Sequence, residues 1–251
     1  MSCIGAKHTI ELGYNPLQDY THYNKLLMGM KNEEKDRRRR TRRKKAFTVA
    51  MLNKAAPPSA AKTVREKALL TAIRLGLCFL LRVCEIVKVK RSKHHLLARD
   101  VRITTKHGLP HRLYITIPSS KTSKEPKTLS LKATYNPTCI VALMADYLAK
   151  TTLLPDGPLF PGLTPRRIAK EISRMAEILG YDPLDFGTHS IRRGGTTTLA
   201  SEGNINEYII RHFGRWSSSM WEQVYQELTL ESITIISNKL SSVASPTTHG
   251  W

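Results

Sequence analysis

Acidic side chains are scarce in this sequence: 20 Asp and Glu stand against 40 Lys and Arg, a formal charge of +20 over 251 residues. The few carboxylates do not cluster as the acidic pocket of a two-metal nuclease requires. Cysteine is equally sparse. Cys3, Cys78, Cys84 and Cys139 show no CxxC spacing and no grouped histidines, which argues against structural zinc. Cys78 and Cys84 lie in an apolar stretch and read as reduced core residues of an intracellular protein. No apolar run is long enough to span a bilayer, and no N-terminal signal pattern is present, so no membrane partner is expected. The longest apolar stretch, Leu75 to Val83, reads as a core element. There is no internal repeat, and nothing calls for a metal or other cofactor.

Positive charge is abundant instead. Lys35 to Lys45 holds nine bases and one acid; removing its net +8 from the total of +20 leaves +12 on the remainder. Such a balance favours a polyanionic partner, most often nucleic acid, through counterion release. The run itself, with Arg40 and Arg43, suits a phosphate-binding linker, a nuclear localisation signal or a solvated arm. Hydrophobic residues make up 41% of the chain, enough for one sizeable core.

Three regions are expected: a helix and basic linker over 1–46, a globular domain over 47–243 and a tail over 244–251. In the first, Asn15-Pro16 starts a helix with Leu17, Tyr20, Tyr23, Leu27 and Met30 on one face. In the second, a capping box at Thr63 and Glu66 opens a helix to about Leu81 that is apolar nearly all round. Between Leu96 and Ala133 the period becomes two, predicting strands over Val101–Thr105, Leu113–Ile117 and Thr128–Leu131. The first turn is expected over Lys106–Pro110. The second, Ser119–Pro126, carries Lys121 and Lys124 and could hold a phosphate.

The rest reads as helical. Asn136-Pro137 and Thr164-Pro165 start two helices, the second stopped by Gly180. Arg166 and Arg167 in its first turn oppose the helix dipole, and a bound phosphate would reverse that cost of about 0.3–1 kcal/mol each. Thr188 is placed to cap the next helix, and Asn204 with Glu207 the one that Gly214 ends. Ser217 or Ser218 starts another, and a last helix runs from about Leu230 to Leu240.

Four segments then supply a set of chemical groups: Arg82 with Glu85, Lys121, His189 with Arg192, and Trp216 with Tyr225. Each has a bland alternative. An Arg and a Glu three apart can be a structural ion pair, a lone His-x-x-Arg is usually a helix-surface pair, and a Trp after Gly is often a core anchor. Together they suit attack of a tyrosine hydroxyl on a phosphodiester. Two guanidiniums can clamp the non-bridging oxygens of a phosphorane, His189 can assist deprotonation, and a lysine can protonate the leaving oxygen. Tyr208 is also available as the attacking tyrosine.

In wording and order these segments resemble the tyrosine recombinases, or phage integrases, over about residues 47–240. Leu-Leu-Arg82-Val-Cys-Glu85-Ile is similar to the family's first box, and Ser-Ser-Lys121-Thr to its lysine hairpin. His189-Ser-Ile-Arg192-Arg-Gly-Gly-Thr is similar to the second box. Gly214-Arg-Trp216 occupies the His-or-Trp position, with Tyr225 nine residues on. The wording is most similar to recombinases of eukaryotic mobile elements of the Crypton and DIRS-like types.

The resemblance implies a mainly α catalytic domain with a small three-stranded antiparallel sheet. It implies DNA breakage and rejoining through a 3′-phosphotyrosyl intermediate. Tyr225 would be the nucleophile, and Arg82, His189, Arg192 and Trp216 would stabilise the phosphorane. Lys121 would be the acid, and Glu85 would orient Arg82 or a nearby base. It further implies a homotetramer on two double-stranded DNA sites, with the last helix docked on a neighbour. The expected DNA contacts are Arg40, Arg43, Lys124, Arg166, Arg167 and Arg193. The setting is the nucleus in a eukaryote and otherwise the cytoplasm. Family members usually carry a complete N-terminal helical domain that closes a clamp on DNA; residues 1–46 look like its last helix and linker. Two other readings are a domesticated DNA-binding protein without turnover and a type IB topoisomerase-like activity.

Overall fold

A thick central helix organises the chain because its sequence is apolar on every side. The computed structural model describes residues 44–89, 95–118, 125–201, 205–216 and 230–241. Its elements are α1 (Val49–Ala55), α2 (Val64–Cys78), α3 (Val83–Ile86), strands β1 (Val101–Lys106), β2 (Leu109–Ile117) and β3 (Lys127–Lys132), then α4 (Ile140–Ala149), α5 (Pro165–Ile178), α6 (Thr188–Ser201), α7 (Glu207–Gly214) and α8 (Leu230–Ser241). Helix α2 starts at the expected capping box: Thr63 Oγ1 accepts from Glu66 N, and Glu66 Oε2 accepts from Thr63 N at 3.0 Å. It then buries Leu69, Ala72, Ile73, Leu75, Leu77 and Cys78 among α4, α6 and α8. Each such leucine contributes about 1.5–3 kcal/mol.

Helix α2 ends at Cys78, three residues before the predicted stop. Leu80 has φ +49, and Leu81 N donates to Gly76 O at 2.9 Å, closing a left-handed helix cap. A left-handed leucine costs about 1–2 kcal/mol. Complete burial of Phe79, Leu80 and Leu81 offsets that cost. The turn throws Arg82 into extended backbone at the mouth of α3.

The sheet is antiparallel in the order β1-β2-β3. The first turn is only His107-Gly108, at φ +50 and +76, the two-residue hairpin that needs positive φ twice. Leu109 and Pro110, expected in that turn, belong to β2, and the register slips at Thr104/Thr105. Leu113, Ile115, Ile117, Leu129 and Leu131 face the core.

Helix α4 begins at Ile140, later than Asn136-Pro137 suggested, because Asn136 is used elsewhere. Its Nδ2 donates to Ser241 O at 3.0 Å, and Thr138 Oγ1 donates to the same oxygen at 2.7 Å. Lys132 N donates to Ser237 Oγ at 2.8 Å. These bonds seat α8 on its own chain, with Ile236 and Leu240 buried. The apolar face expected to dock on a neighbouring subunit is thus covered, at these two residues, from within.

The described chain enters the domain at Lys44. Lys45 N donates to Asp185 O at 2.7 Å, Phe47 N to Ser190 O at 3.0 Å, and Val49 N to Thr198 Oγ1 at 3.3 Å. These bonds make the entering strand part of the domain before α1 starts.

Candidate active site

Helix α6 comes unusually close to its neighbours, and its two adjacent glycines are the reason. A Cβ on Gly194 would lie 1.7 Å from Phe47 O, and one on Gly195 would lie 2.2 Å from Leu77 O. The helix therefore lies against the end of α2, where the Leu80 turn presents Arg82. Its N-terminus is held by Ser190, whose Oγ accepts from Gly187 N at 3.1 Å, while Thr188 lies inside the helix. His189 and Arg192 follow one turn apart, His189 exposed and Arg192 half-buried.

Arg192 is fixed at both ends of its guanidinium. Nη1 donates to Leu80 O at 2.8 Å and Nη2 donates to Gly214 O. The Trp216 ring lies over the guanidinium with 4.7 Å from Cζ to centroid. That ring folds back over Gly214, where a Cβ would stand 2.2 Å from it, so the glycine makes room for the indole. The left-handed position after α7 is held by Arg215, at φ +55, with Arg215 N donating to His212 O and Trp216 N to Arg211 O, both at 3.1 Å. The N-cap of α7 is Asn206, whose Oδ1 accepts from Tyr208 N at 2.9 Å, in place of the predicted Asn204.

Glu85 joins the pieces. Its Oε2 accepts from Arg82 N at 2.8 Å, the acidic half of a capping box, and its Oε1 meets Arg82 Nη1 at 3.0 Å. The same Oε2 meets Arg215 Nη2 at 2.6 Å, and Arg215 Nη1 reaches Phe79 O at 3.4 Å. Glu85 is 1% exposed and Arg215 9%, so this ion pair is out of water. Arg215 is the participant that sequence reading missed. It lies inside the Gly-Arg-Trp motif, but only the fold brings it to Glu85.

The result is two guanidiniums on one carboxylate, with the Arg192 guanidinium close enough to be affected by all three charges. Burial first, then Arg82 and Arg215, push the Arg192 guanidinium down to about 10, with Glu85 opposing. Burial also lowers Arg215, again opposed by Glu85. The site is short of negative charge, and an anion would relieve it. Arg82 and Trp216 remain partly open to solvent, the latter 39% exposed.

The structure thus gathers Arg82, Glu85, Arg192 and Trp216, with His189 one turn away on α6. Other expected residues lie apart. Arg166 and Arg167 are exposed at the start of α5; Arg167 lines a groove with Val64, Arg65 and Ala68, at the opposite end of α2 from Arg82. Fifteen residues of helix make that separation about 22 Å. Arg193 Nη1 donates to Lys44 O at 2.8 Å and so ties the entering chain to α6. Arg40, Arg43, Lys121, Lys124 and Tyr225 lie outside the described residues, as do the 15–30 helix and the segment between Ser217 and Thr229. Among the described residues no group of three His, Cys, Asp or Glu could hold a metal ion, and no helix is long and apolar enough to cross a membrane.

The same arrangement of helices and sheet occurs in solved structures. XerH site-specific recombinase bound to difH substrate, a pre-cleavage complex, matches with a TM-score of 0.51 at 16% identity, over 76% of this chain and 51% of that one. The post-cleavage complex of XerH on a palindromic difH substrate gives 0.52 at 15% identity, over 80% and 50%. This is the tyrosine recombinase catalytic-domain fold. The chain spans about half the length of these structures. No family model and no curated protein matches the sequence.

Proposed function

We propose that this protein breaks and rejoins double-stranded DNA as a tyrosine site-specific recombinase. The observation that carries the reading is the pairing of Arg82 and Arg215 on a single buried carboxylate with Arg192 held beside them, on this fold. A phosphodiester carries one negative charge, and the phosphorane formed on attack carries a second. A site with excess positive charge binds the phosphorane more tightly than the diester, which is the condition for acceleration. Fixed guanidiniums do this without reorganising, and the carbonyls of Leu80 and Gly214 already hold Arg192.

In this mechanism the Tyr225 oxygen forms the new P–O bond as its proton leaves, with His189 assisting. The bond to the 5′ oxygen breaks, and Lys121 supplies the proton that makes it a hydroxyl. The 3′-phosphotyrosyl bond retains the energy of the broken diester, so rejoining is the same step reversed by an incoming 5′-hydroxyl. Glu85 is the positioning residue for Arg82, and Arg215 holds Glu85. A homotetramer on two DNA sites belongs to the same proposal.

The test is a nicked suicide duplex carrying the native site, run on denaturing gels with wild type and Tyr225→Phe. A covalent protein–DNA band from wild type alone is expected. DNA binding by both proteins with no adduct from either would leave a binding protein without turnover. An adduct that survives Tyr225→Phe would move the nucleophile to another tyrosine.

A further inference from the structure

The outer face of the sheet is a second cationic surface, built by register rather than by any run of sequence. Inward positions are aliphatic, buried on β2 and β3 and partly buried on β1, so the residues between them share the opposite face. Pairing sets Thr104, Arg112 and Lys132 in one row across the three strands, and Arg102, Tyr114 and Ser130 in the next. Thr116 and Thr128 form a third row, their hydroxyls 3.0 Å apart. Among these eight residues there is no carboxylate and no aliphatic side chain.

The cations on this face are held ready. Arg102 Cζ lies 4.4 Å from the centre of the Tyr114 ring, and Arg112 Cζ lies 5.9 Å from it. Among the described residues, Arg102, Arg112 and Lys132 form no ion pair with a carboxylate. His111 has the strand parity of the core-facing Leu113, not of this face, and its buried Nδ1 has no hydrogen-bond partner in the structure. Burial, and then Lys106, Lys132 and Arg112, hold its imidazole below the usual histidine range. Like charges gathered on one face repel unless an anion sits among them.

We propose that this outer sheet face binds the phosphate backbone of duplex DNA. DNA as the partner rests on the proposed function; the surface and its charge do not. A duplex fits better than a single strand. The one aromatic ring on the face has Arg102 packed against it, leaving no open platform for bases to stack on. Hydroxyls and guanidiniums aimed at phosphates, with no element shaped to enter a groove, also make the binding independent of sequence.

The experiment measures affinity for a random-sequence duplex by fluorescence anisotropy between 50 and 300 mM KCl. Wild type is compared with the triple variant Arg102→Gln, Arg112→Gln, Lys132→Gln. Every phosphate that the variant no longer neutralises lowers the slope of log affinity against log salt by about 0.9, so a reduction of about 2–3 is expected. An unchanged slope overturns the proposal. So does displacement of the duplex by a single-stranded oligonucleotide or by polyglutamate from wild type but not from the triple variant, which would give the face to another partner. If the triple variant has a lowered thermal midpoint, Arg102→Gln alone, at an exposed position, must lower the slope by about 1. The Tyr225 adduct, assayed at saturating protein, reports separately on the catalytic reading: it persists in the triple variant if that reading holds, and its absence from both proteins leaves the slope comparison intact.

Discussion

Arg192 is a cation kept where cations are disfavoured. Burial, Arg82 and Arg215 bring its pKa down to about 10, so at neutral pH it still carries its charge. The margin comes from the guanidinium's high starting value. A lysine in the same place starts about two units lower, and the same burial and neighbours would push it toward neutral pH. A base with a depressed pKa is charged below that value and loses its charge as pH rises through it. The ratio of adduct formation by Arg192→Lys to that by wild type should therefore fall as pH goes from about 6 to about 9. A ratio independent of pH would mean that geometry alone, not charge, limits the variant. The ammonium also cannot reach the Leu80 and Gly214 carbonyls together, so the ratio stays well below one throughout.

At the scale of elements, the glycines of the second motif set how closely helices approach. Gly194 and Gly195 each face a backbone carbonyl, which cannot move aside without shifting a helix or the entering strand. Gly76 faces only the methyl ends of Ile86 and Ile191, at 2.6 and 2.7 Å. In urea unfolding, Gly194→Ala and Gly195→Ala should each cost about 3 kcal/mol, at the upper end of overpacking, and Gly76→Ala about 1 kcal/mol. Equal losses at all three would mean that the backbone relaxes as easily as the methyls. Elements with their own punctuation were legible in the sequence. Helix α5 has Thr164 and Pro165 at its start and Gly180, at φ +81, at its end, as read from residue types alone. The end of α2 was not legible, because burial holds a leucine where a glycine would have announced the turn. The start of α4 was misplaced, because Asn136 caps a helix 105 residues away instead of its own. In the site, Arg82, Glu85, Arg192 and Trp216 were named from motif spacing. Arg215 was not, since its role depends on a partner 130 residues distant. The sheet's cationic face was equally hidden, because its members alternate with aliphatic residues along each strand.

At the scale of the whole molecule, α8 is fastened to the body by buried Ile236 and Leu240 and by bonds at Ser237 and Ser241. Thr138→Val keeps the shape and removes the hydroxyl bond to Ser241 O, worth about 1 kcal/mol. Hydrogen exchange should then speed up in the amides of α8 while those of α2 stay protected. Equal acceleration in both would mean that α8 opens only with the entire domain. The other end of the domain is closed over a still longer span. Lys44 and Val49 bond to Leu184 and Thr198, 140 and 149 residues further on. A ribosome adding about 5–20 residues each second needs roughly 7–30 s to cover that interval. For all of that time Phe47, fully buried in the finished protein, has no α6 to pack against, and a newborn chain must spend it with that ring in water or in the keeping of a chaperone.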